Sequence, residues 1–200
     1  MRWDNLFDDL EGQLEQELSA EELDLRAEEE RLRLGRLAIR DRILAVHEGS
    51  GRSADYSIRV FLSDGSAIAV RPVTFGRDWF SADVVDGSQR RQQCIIPIPA
   101  IAAIAFTRDQ LAGSLVGTPG ETTQTSLPAR LSLGFVLRDL CRRRSPVELL
   151  TSIGAVHGTI DRVGRDHLDL AVHAAGEPRR EAAVSQMRLV PLAQLLLVRL

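Results

Sequence analysis

The chain has 200 residues, of which 44% are hydrophobic and 26% charged, and it carries a formal net charge of −3. A chain with this balance can bury a core, which excludes disorder throughout, collagen-like structure and a membrane-embedded fold. The length suits one or two compact units. Aromatic residues make up only 4% of the chain, so the core is expected to be aliphatic.

The two cysteines, Cys94 and Cys141, are too few for a disulfide scaffold, and no Cys-x-x-Cys spacing is present. The longest apolar run, at 95–106, has about half of the ~20 residues that a membrane span needs. Acidic residues alternate with leucines at the N-terminus, unlike the pattern of a signal peptide. We therefore expect a cytoplasmic protein that does not bind a membrane.

Charge is distributed unevenly along the chain. Residues 1–36 hold twelve acidic side chains and five arginines, a net of −7, whereas the remainder is at +4. An acidic arm on a mildly basic body argues against a protein that coats nucleic acid uniformly. It favours an arm that shields the body or selects a basic partner.

Residues 1–44 are predicted to form an acidic amphipathic helix, because their apolar side chains fall on one stripe roughly 120° wide. The helix is either continuous or hinged near 18–20, where Ser19 and Glu22 form a capping box. The stripe either folds back on the body as core or pairs with another chain. Its first part, the candidate partner-binding surface, comprises Trp3, Leu6, Phe7, Leu10, Leu14 and Leu18.

The body contains an internal repeat. Residues 75–80 and 163–168 each place a Gly-Arg-Asp turn between apolar residues, and residues 96–106 align without a gap on 190–200. Apolar and polar residues alternate after both turns, which is the two-residue period of a half-buried strand. Each copy is therefore predicted to contain four or five short antiparallel strands, with a hairpin at its Gly-Arg-Asp turn.

Short curved strands with an aliphatic interior avoid exposed edges by closing into a barrel. Residues 111–130 are rich in Gly, Thr, Ser and Pro, which is typical of a linker. A short helix is predicted after it, ended by three arginines and Pro146. The predicted fold is mainly β with helices (α+β): the N-terminal helix, a small barrel at 45–110, the linker, and a helix plus second small barrel at 131–200.

This arrangement resembles the Sm-like or SH3-like small barrel in tandem, over roughly 37–106 and 131–200. The likeness rests on a leading helix, a strand ending in Asp64-Gly65, a bent hairpin whose turn carries Asp78 or Asp166, and a final apolar strand. The resemblance implies an RNA site, but the Arg-Gly pair that such sites use at the last turn is missing from both copies.

The whole chain is also similar to an uncharacterised actinobacterial protein family, whose members sometimes carry an automatic Fis-type regulator label. The similarity lies in the opening Met-Arg-Trp-Asp and in the stretches 158–164, 170–173 and 176–180. No helix-turn-helix pattern accompanies that label in this chain.

Five residues are candidates for binding nucleic acid. Two arginine pairs fall in equivalent hairpin loops and one tryptophan is expected on the outward face, which would provide phosphate contacts and a stacking ring. In the alternative, the arginines only solvate turns and the tryptophan packs against the other barrel or the leading helix. The residues are Trp79, Arg90, Arg91, Arg179 and Arg180.

No catalytic or metal site is predicted. His167 and His173 share one strand face with Asp169, but six residues of strand span about 20 Å, too far for a single ion. The Ser, His and Asp residues form no nucleophile–base pattern, and no Gly-rich phosphate loop is present. We expect a protein that is not an enzyme and that needs no cofactor.

These observations predict a non-catalytic cytoplasmic interaction or scaffold protein. It would bind an unidentified protein, or a second copy of itself, through the N-terminal helix and the paired barrels. The alternative is a nucleic-acid-binding regulator of the Sm-like type, acting on RNA or DNA through Trp79 and the arginine pairs.

Overall fold

The computed structural model describes residues 22–50, 56–85, 92–117, 127–177 and 179–200. Its helices are α1 (22–35), α2 (Ile39–Gly49), α3 (Arg108–Ser114), α4 (Leu127–Arg130) and α5 (Leu133–Arg143). Its strands are β1 (Ile58–Leu62), β2 (Ala67–Phe75), β3 (Trp79–Val84), β4 (Gln93–Pro97), β5 (Ile101–Ala105), β6 (Pro146–Thr151), β7 (Gly154–Val163), β8 (His167–Val172), β9 (Gln186–Pro191) and β10 (Leu195–Arg199).

The ten strands of the described residues belong to one antiparallel sheet with the order β5-β1-β2-β3-β4-β10-β6-β7-β8-β9. This order consists of two runs of five strands with the same arrangement, β5-β1-β2-β3-β4 and β10-β6-β7-β8-β9, which we call the first and the second unit. In the first unit β5 lies beside β1, and in the second unit β10 lies beside β6; the remaining strands then follow in sequence. Helix α2 belongs to the first unit and α5 to the second.

The residue pairing also repeats between the units. Phe80 lies opposite Ile96 in the first unit, and Leu168 lies opposite Val190 in the second. The register of the second hairpin shifts by one residue after Pro72 and after Ile160, which are equivalent positions. Such shifts mark β-bulges, which bend a strand at a defined place. The predicted duplication is therefore confirmed in strand order and register.

The first hairpin of each unit turns at a glycine with positive φ, 86° at Gly65 and 116° at Gly154. Glycine adopts this conformation at little cost because it has no Cβ. In the first unit the Asp64 carboxylate also accepts hydrogen bonds from the backbone N–H and the hydroxyl of Ser66, at 2.9 and 2.7 Å. These turns set the register of the strands that follow.

The two units are joined through β4 and β10. Val198 lies opposite Ile95, Arg199 lies opposite Cys94, and the Leu200 N–H donates to the Gln93 carbonyl at 3.0 Å. Each unit also contributes apolar residues to the core of the other unit. Leu196 and Leu197 of β10 pack into the first core cluster, whereas Trp79 and Ile95 of the first unit pack into the second.

The prediction of two closed small barrels is wrong. The strands form a single open sheet, with β5 and β9 at its two ends. β4 of the first unit and β10 of the second cover each other, so these two edges are protected by pairing between the units and not by closure of either unit. The boundary predicted at 111–130 contains the end of α3 and all of α4, while residues 118–126 lie outside the described part of the chain.

The structure also does not show one long N-terminal helix. Helix α1 ends at Gly35, the chain turns at Arg36, and α2 begins at Ile39. The Asp41 carboxylate accepts a hydrogen bond from the Ala38 N–H at 3.2 Å, which caps the start of α2. The break therefore lies at 36–38. The hinge predicted near 18–20 and the first stripe residues lie outside the described ranges: Trp3, Leu6, Phe7, Leu10, Leu14 and Leu18.

The described part of the apolar stripe divides into two. Leu25 and Leu32 on α1 are 61% and 53% exposed, whereas Ile43 on α2 is fully buried in the first core. Arg33 holds the end of α1 near the body by donating to the carbonyls of Leu115 and Gly117. In the residues that the structure describes, no helix combines the length and apolar character that a membrane crossing requires.

The predicted helix of the second unit is confirmed as α5. Leu137 and Leu140 on its inner face are buried, and Arg142 and Arg143 lie in its last turn, where positive charge suits the helix dipole. The helix ends at Arg144, which has a left-handed φ of 54°.

Cys94 provides a chemical test of the junction between β4 and β10. Its side chain is fully buried, and burial raises the pKa of the thiol to about 12. Because the thiolate is the reactive species, we expect a Cys141→Ser chain to react with a thiol reagent at pH 8 at least ~100-fold more slowly when native than when unfolded in urea. The rate is followed by absorbance of the released chromophore.

The matched control is a Cys94→Ser chain, whose remaining thiol at Cys141 is only partly buried. It is expected to react in the native state. Equal native and unfolded rates for Cys94 would contradict the pairing of β4 with β10.

Candidate interaction surface

A turn of the first unit docks on the start of α5 and completes the contact between the units. The Leu131 carbonyl accepts hydrogen bonds from the Arg77 N–H at 2.9 Å and from the Trp79 Nε1–H at 3.0 Å. The Asp78 carboxylate accepts from the Leu133 N–H at 2.8 Å. A carboxylate at this place satisfies a free amide of the first helical turn and suits the positive end of the helix dipole. We call this docked turn together with the β4–β10 pairing the joint.

Trp79 lies inside the joint. Its side chain is only 6% exposed and belongs to the core of the second unit, so the expectation that it faces outward is wrong. The alternative, packing against the other half of the molecule, describes its position. A buried indole needs an acceptor for its N–H, which Leu131 supplies. Gly76 makes room for the ring, because a Cβ there would lie 2.1 Å from Trp79 Nε1.

Of the four arginines named as nucleic-acid candidates, the structure describes Arg179 and Arg180. Arg179 donates through Nε to the Asp161 carboxylate at 2.7 Å, and Arg144 also bonds this carboxylate at 3.0 Å. The hydrogen bond to Asp161 raises the pKa of Arg179. Arg180 is exposed, whereas Arg90 and Arg91 lie outside the described residues.

A cavity of about 570 Å³ lies beside this group. The charge of its two arginines is offset by Asp161, which both of them bond, and by Glu177 in the lining. The cavity therefore does not present a strongly positive wall to a phosphate. Its lining comprises Arg144, Pro146, Thr159, Gly176, Glu177 and Arg179.

His167 and His173, the two histidines considered in the sequence analysis, occupy different environments. His173 is buried, with Nε2 2.9 Å from the Thr159 hydroxyl and Nδ1 3.0 Å from the Ala174 carbonyl. His167 is partly exposed, with Nδ1 2.8 Å from the Asp166 carboxylate. Across the described ranges, no group of three His, Cys, Asp or Glu side chains is placed to hold a metal ion.

The ends of the sheet are the features that sequence reasoning missed. Within the described residues, no strand pairs with the outer side of β5 or of β9. On β9, Met187 and Leu189 are 57% and 63% exposed. Leu189 is equivalent to Ile95 of β4, which is 2% exposed because β10 covers it.

The β5 end shows the same contrast. Ala102 and Ala103 are exposed, whereas their equivalents on β10, Leu196 and Leu197, are buried in the joint. The start of α2 is likewise less covered than the start of α5: Ile39 is 40% exposed and its equivalent Leu133 is 6% exposed. We call these two ends of the sheet the β5 edge and the β9 edge.

The backbone of β9 presents hydrogen-bonding groups toward the open side. Hydrogen bonds alternate along an antiparallel strand, and Leu192 donates to the Asp166 carbonyl in the register of the β8–β9 pair. The N–H and C=O groups of Met187 and Leu189 therefore point away from β8. An apolar edge with outward backbone groups is a template for an added strand.

Searches of family models, of curated proteins and of solved structures found no match to this chain. The family resemblances therefore stay predictions, whereas the closed small barrels that one of them implies are absent from the described sheet.

Replacing Trp79 measures the contribution of the joint to stability. Trp79→Ala is expected to lower the free energy of unfolding by about 3–5 kcal/mol, because a buried ring is lost and a cavity remains. Trp79→Phe keeps an aromatic ring and removes the N–H, so a smaller loss of about 1–3 kcal/mol is expected. Urea denaturation followed by circular dichroism gives both values.

The control is His167→Ala at the equivalent turn of the second unit. The His167 side chain is 41% exposed, so the expected change is below about 0.5 kcal/mol. If Trp79→Ala lowers the free energy of unfolding as little as His167→Ala does, Trp79 does not hold the two units together.

Proposed function

We propose that this protein is a non-catalytic interaction protein of the cytoplasm, which binds by strand addition at the open edges of its sheet. The observation that carries the proposal is the contrast between two equivalent residues. Ile95 is 2% exposed where a strand already covers its edge, and Leu189 is 63% exposed where none does among the described residues.

Strand addition at the β9 edge uses contacts of the kind that β4 makes with β10. The backbone groups of Met187 and Leu189 bond an incoming antiparallel strand, as Gln93 bonds Leu200. The exposed side chains of Met187 and Leu189 then pack against the apolar residues of that strand. Backbone hydrogen bonds supply affinity in this mode of recognition, and the alternate side chains supply specificity.

Two further features support the scaffold proposal. Leu25 and Leu32 continue the N-terminal stripe and are exposed on α1, so the stripe is a second candidate surface for a protein partner. Both cysteines are free thiols in the described structure, in keeping with a reducing compartment.

The nucleic-acid alternative has less support. The ring of Trp79 is enclosed in the joint and Arg179 is engaged by Asp161, so a stacking platform beside free phosphate-binding arginines does not emerge from these residues.

A peptide tests strand addition directly. Residues 194–200, followed by a short polar tag, contain the strand that pairs with β4 in the chain. When this peptide is added at up to ~1 mM, the amides of Met187 and Leu189 are expected to gain protection from hydrogen exchange. The reason is that these amides point to the open side of β9. Exchange is read residue by residue by NMR.

An altered peptide and altered proteins distinguish strand pairing from non-specific binding. A peptide with proline at the position of Val198 lacks an N–H needed for the ladder and is expected not to protect the amides. A Leu189→Asp protein is expected to bind the peptide at least ~10-fold more weakly, because edge charges oppose pairing. The matched control is Ile153→Asp, at an 84% exposed turn residue away from both edges. It is expected to bind the peptide as the unaltered protein does. Absence of protection at Met187 and Leu189 would overturn the proposed function.

A further inference from the structure

Each end of the sheet carries the equivalent of one half of the joint, and no described strand pairs with it. The half of the joint contributed by the first unit consists of β4 and the turn at 76–79. Its equivalents in the second unit are β9 and the turn at 164–167, and they lie at one end of the sheet. The other half of the joint consists of β10 and the start of α5. Its equivalents are β5 and the start of α2, at the opposite end.

We propose that the strand added at these edges comes from a second copy of the same chain: β9 of one copy pairs with β5 of the next, head to tail, in the geometry of the joint. This inference rests on the proposed strand addition and names its partner. Each copy carries the equivalent of one half of the joint at each end, so the backbone edges of β9 and β5 can pair as β4 pairs with β10.

The register of the pairing follows from the joint. Val198 lies opposite Ile95 within the chain, so Ile104 of one copy lies opposite Leu189 of the next. The Leu200 N–H donates to the Gln93 carbonyl, so the Phe106 N–H donates to the Met187 carbonyl. This pairing covers Leu189, which is 63% exposed in the single chain.

The helix contact repeats in the same register. Leu133 and Ile39 are the first residues of α5 and α2, and the residue four positions later is fully buried in both helices, as Leu137 and Ile43. Asp78 accepts from the Leu133 N–H, so Asp166 accepts from the Ile39 N–H of the next copy. The Asp166 side chain is 84% exposed in the single chain, and Ile39 becomes covered.

The contact between copies is weaker than the joint. Ala102 and Ala103 stand where β10 has Leu196 and Leu197, so the added strand buries less apolar surface. His167 replaces Trp79, which removes the large ring that fills the second core. Association is therefore expected to be reversible and to depend on protein concentration.

The proposed contact joins two unlike surfaces, and this determines which assemblies can form. The two surfaces differ, so one contact leaves a free β9 edge at one end and a free β5 edge at the other. Such head-to-tail contacts produce either closed rings or open filaments, depending on whether the rotation between copies closes. A self-limiting two-fold dimer is not an outcome of this geometry.

Sedimentation velocity of the full chain tests the proposal over about 1 to 200 µM. The 22.1 kDa chain is expected to form species larger than a dimer as concentration rises. Leu189→Asp removes the β9 surface and Ala102→Asp removes the β5 surface, and each variant alone is expected to remain monomeric. Both residues are exposed in the single chain, so neither change disturbs its core. Ile153→Asp is expected to associate as the unaltered chain does.

Mixing the two variants provides the decisive result. The Ala102→Asp copy keeps its β9 edge and the Leu189→Asp copy keeps its β5 edge, so an equimolar mixture is expected to form a one-to-one complex and nothing larger. Loss of association with Leu189→Asp but not with Ala102→Asp would indicate pairing of two β9 edges and overturn the inference. Association that survives both changes would place the contact elsewhere, for example on the N-terminal stripe, and would also overturn it.

The two proposals fail in different ways. If the peptide protects Met187 and Leu189 while the full chain stays monomeric at 200 µM, strand addition stands and the second copy is not its partner. If neither the peptide nor a second copy engages β9, both proposals fall.

Discussion

The pairing of β4 with β10 is the contact on which the rest of the molecule depends. It satisfies the backbone groups of two strands that otherwise end their units, and it lets leucines of β10 enter the first core while Trp79 and Ile95 enter the second. A unit of roughly 60 residues buries only about 60% of the surface that its unfolded chain exposes, and it is marginally stable alone. By sharing core residues across the joint, the two units stabilise each other.

Duplication within one chain has a geometric consequence. Two copies joined through unlike edges leave one edge of each kind at the ends, here β9 and β5. The β9 end keeps a large apolar residue, Leu189, where the joined strand has Ile95, whereas the β5 end has the smaller Ala102 where the joined strand has Leu196. The same contact that builds the fold therefore also defines the candidate interaction surface, in a weaker form.

The repeat and the Gly-Arg-Asp turns were predictable because they depend on local chemistry. The turn at Gly76 precedes a strand in which Phe80, Ala82 and Val84 alternate with polar residues after Trp79, and both closing segments begin with a proline before an apolar strand. The closure of each unit was not predictable, and the barrel prediction was wrong. Whether β4 pairs within its own unit or with β10 is a choice between two edges of similar composition, which alternation along a strand does not encode.

The sequence by itself determined the duplicated strand pattern, the helix before the second unit and the aliphatic core. The strands follow from periodicity and turn residues, the helix from its apolar residues and the arginines and proline at its end, and the core from the scarcity of aromatic residues. Only the tertiary structure decided that Trp79 is buried, that Asp78 caps α5 and that Leu189 is exposed. Positions such as Ile95 and Leu189 look alike in the sequence, since both are aliphatic residues two before a proline. What separates them is which strand lies alongside, and that depends on contacts between residues about a hundred positions apart.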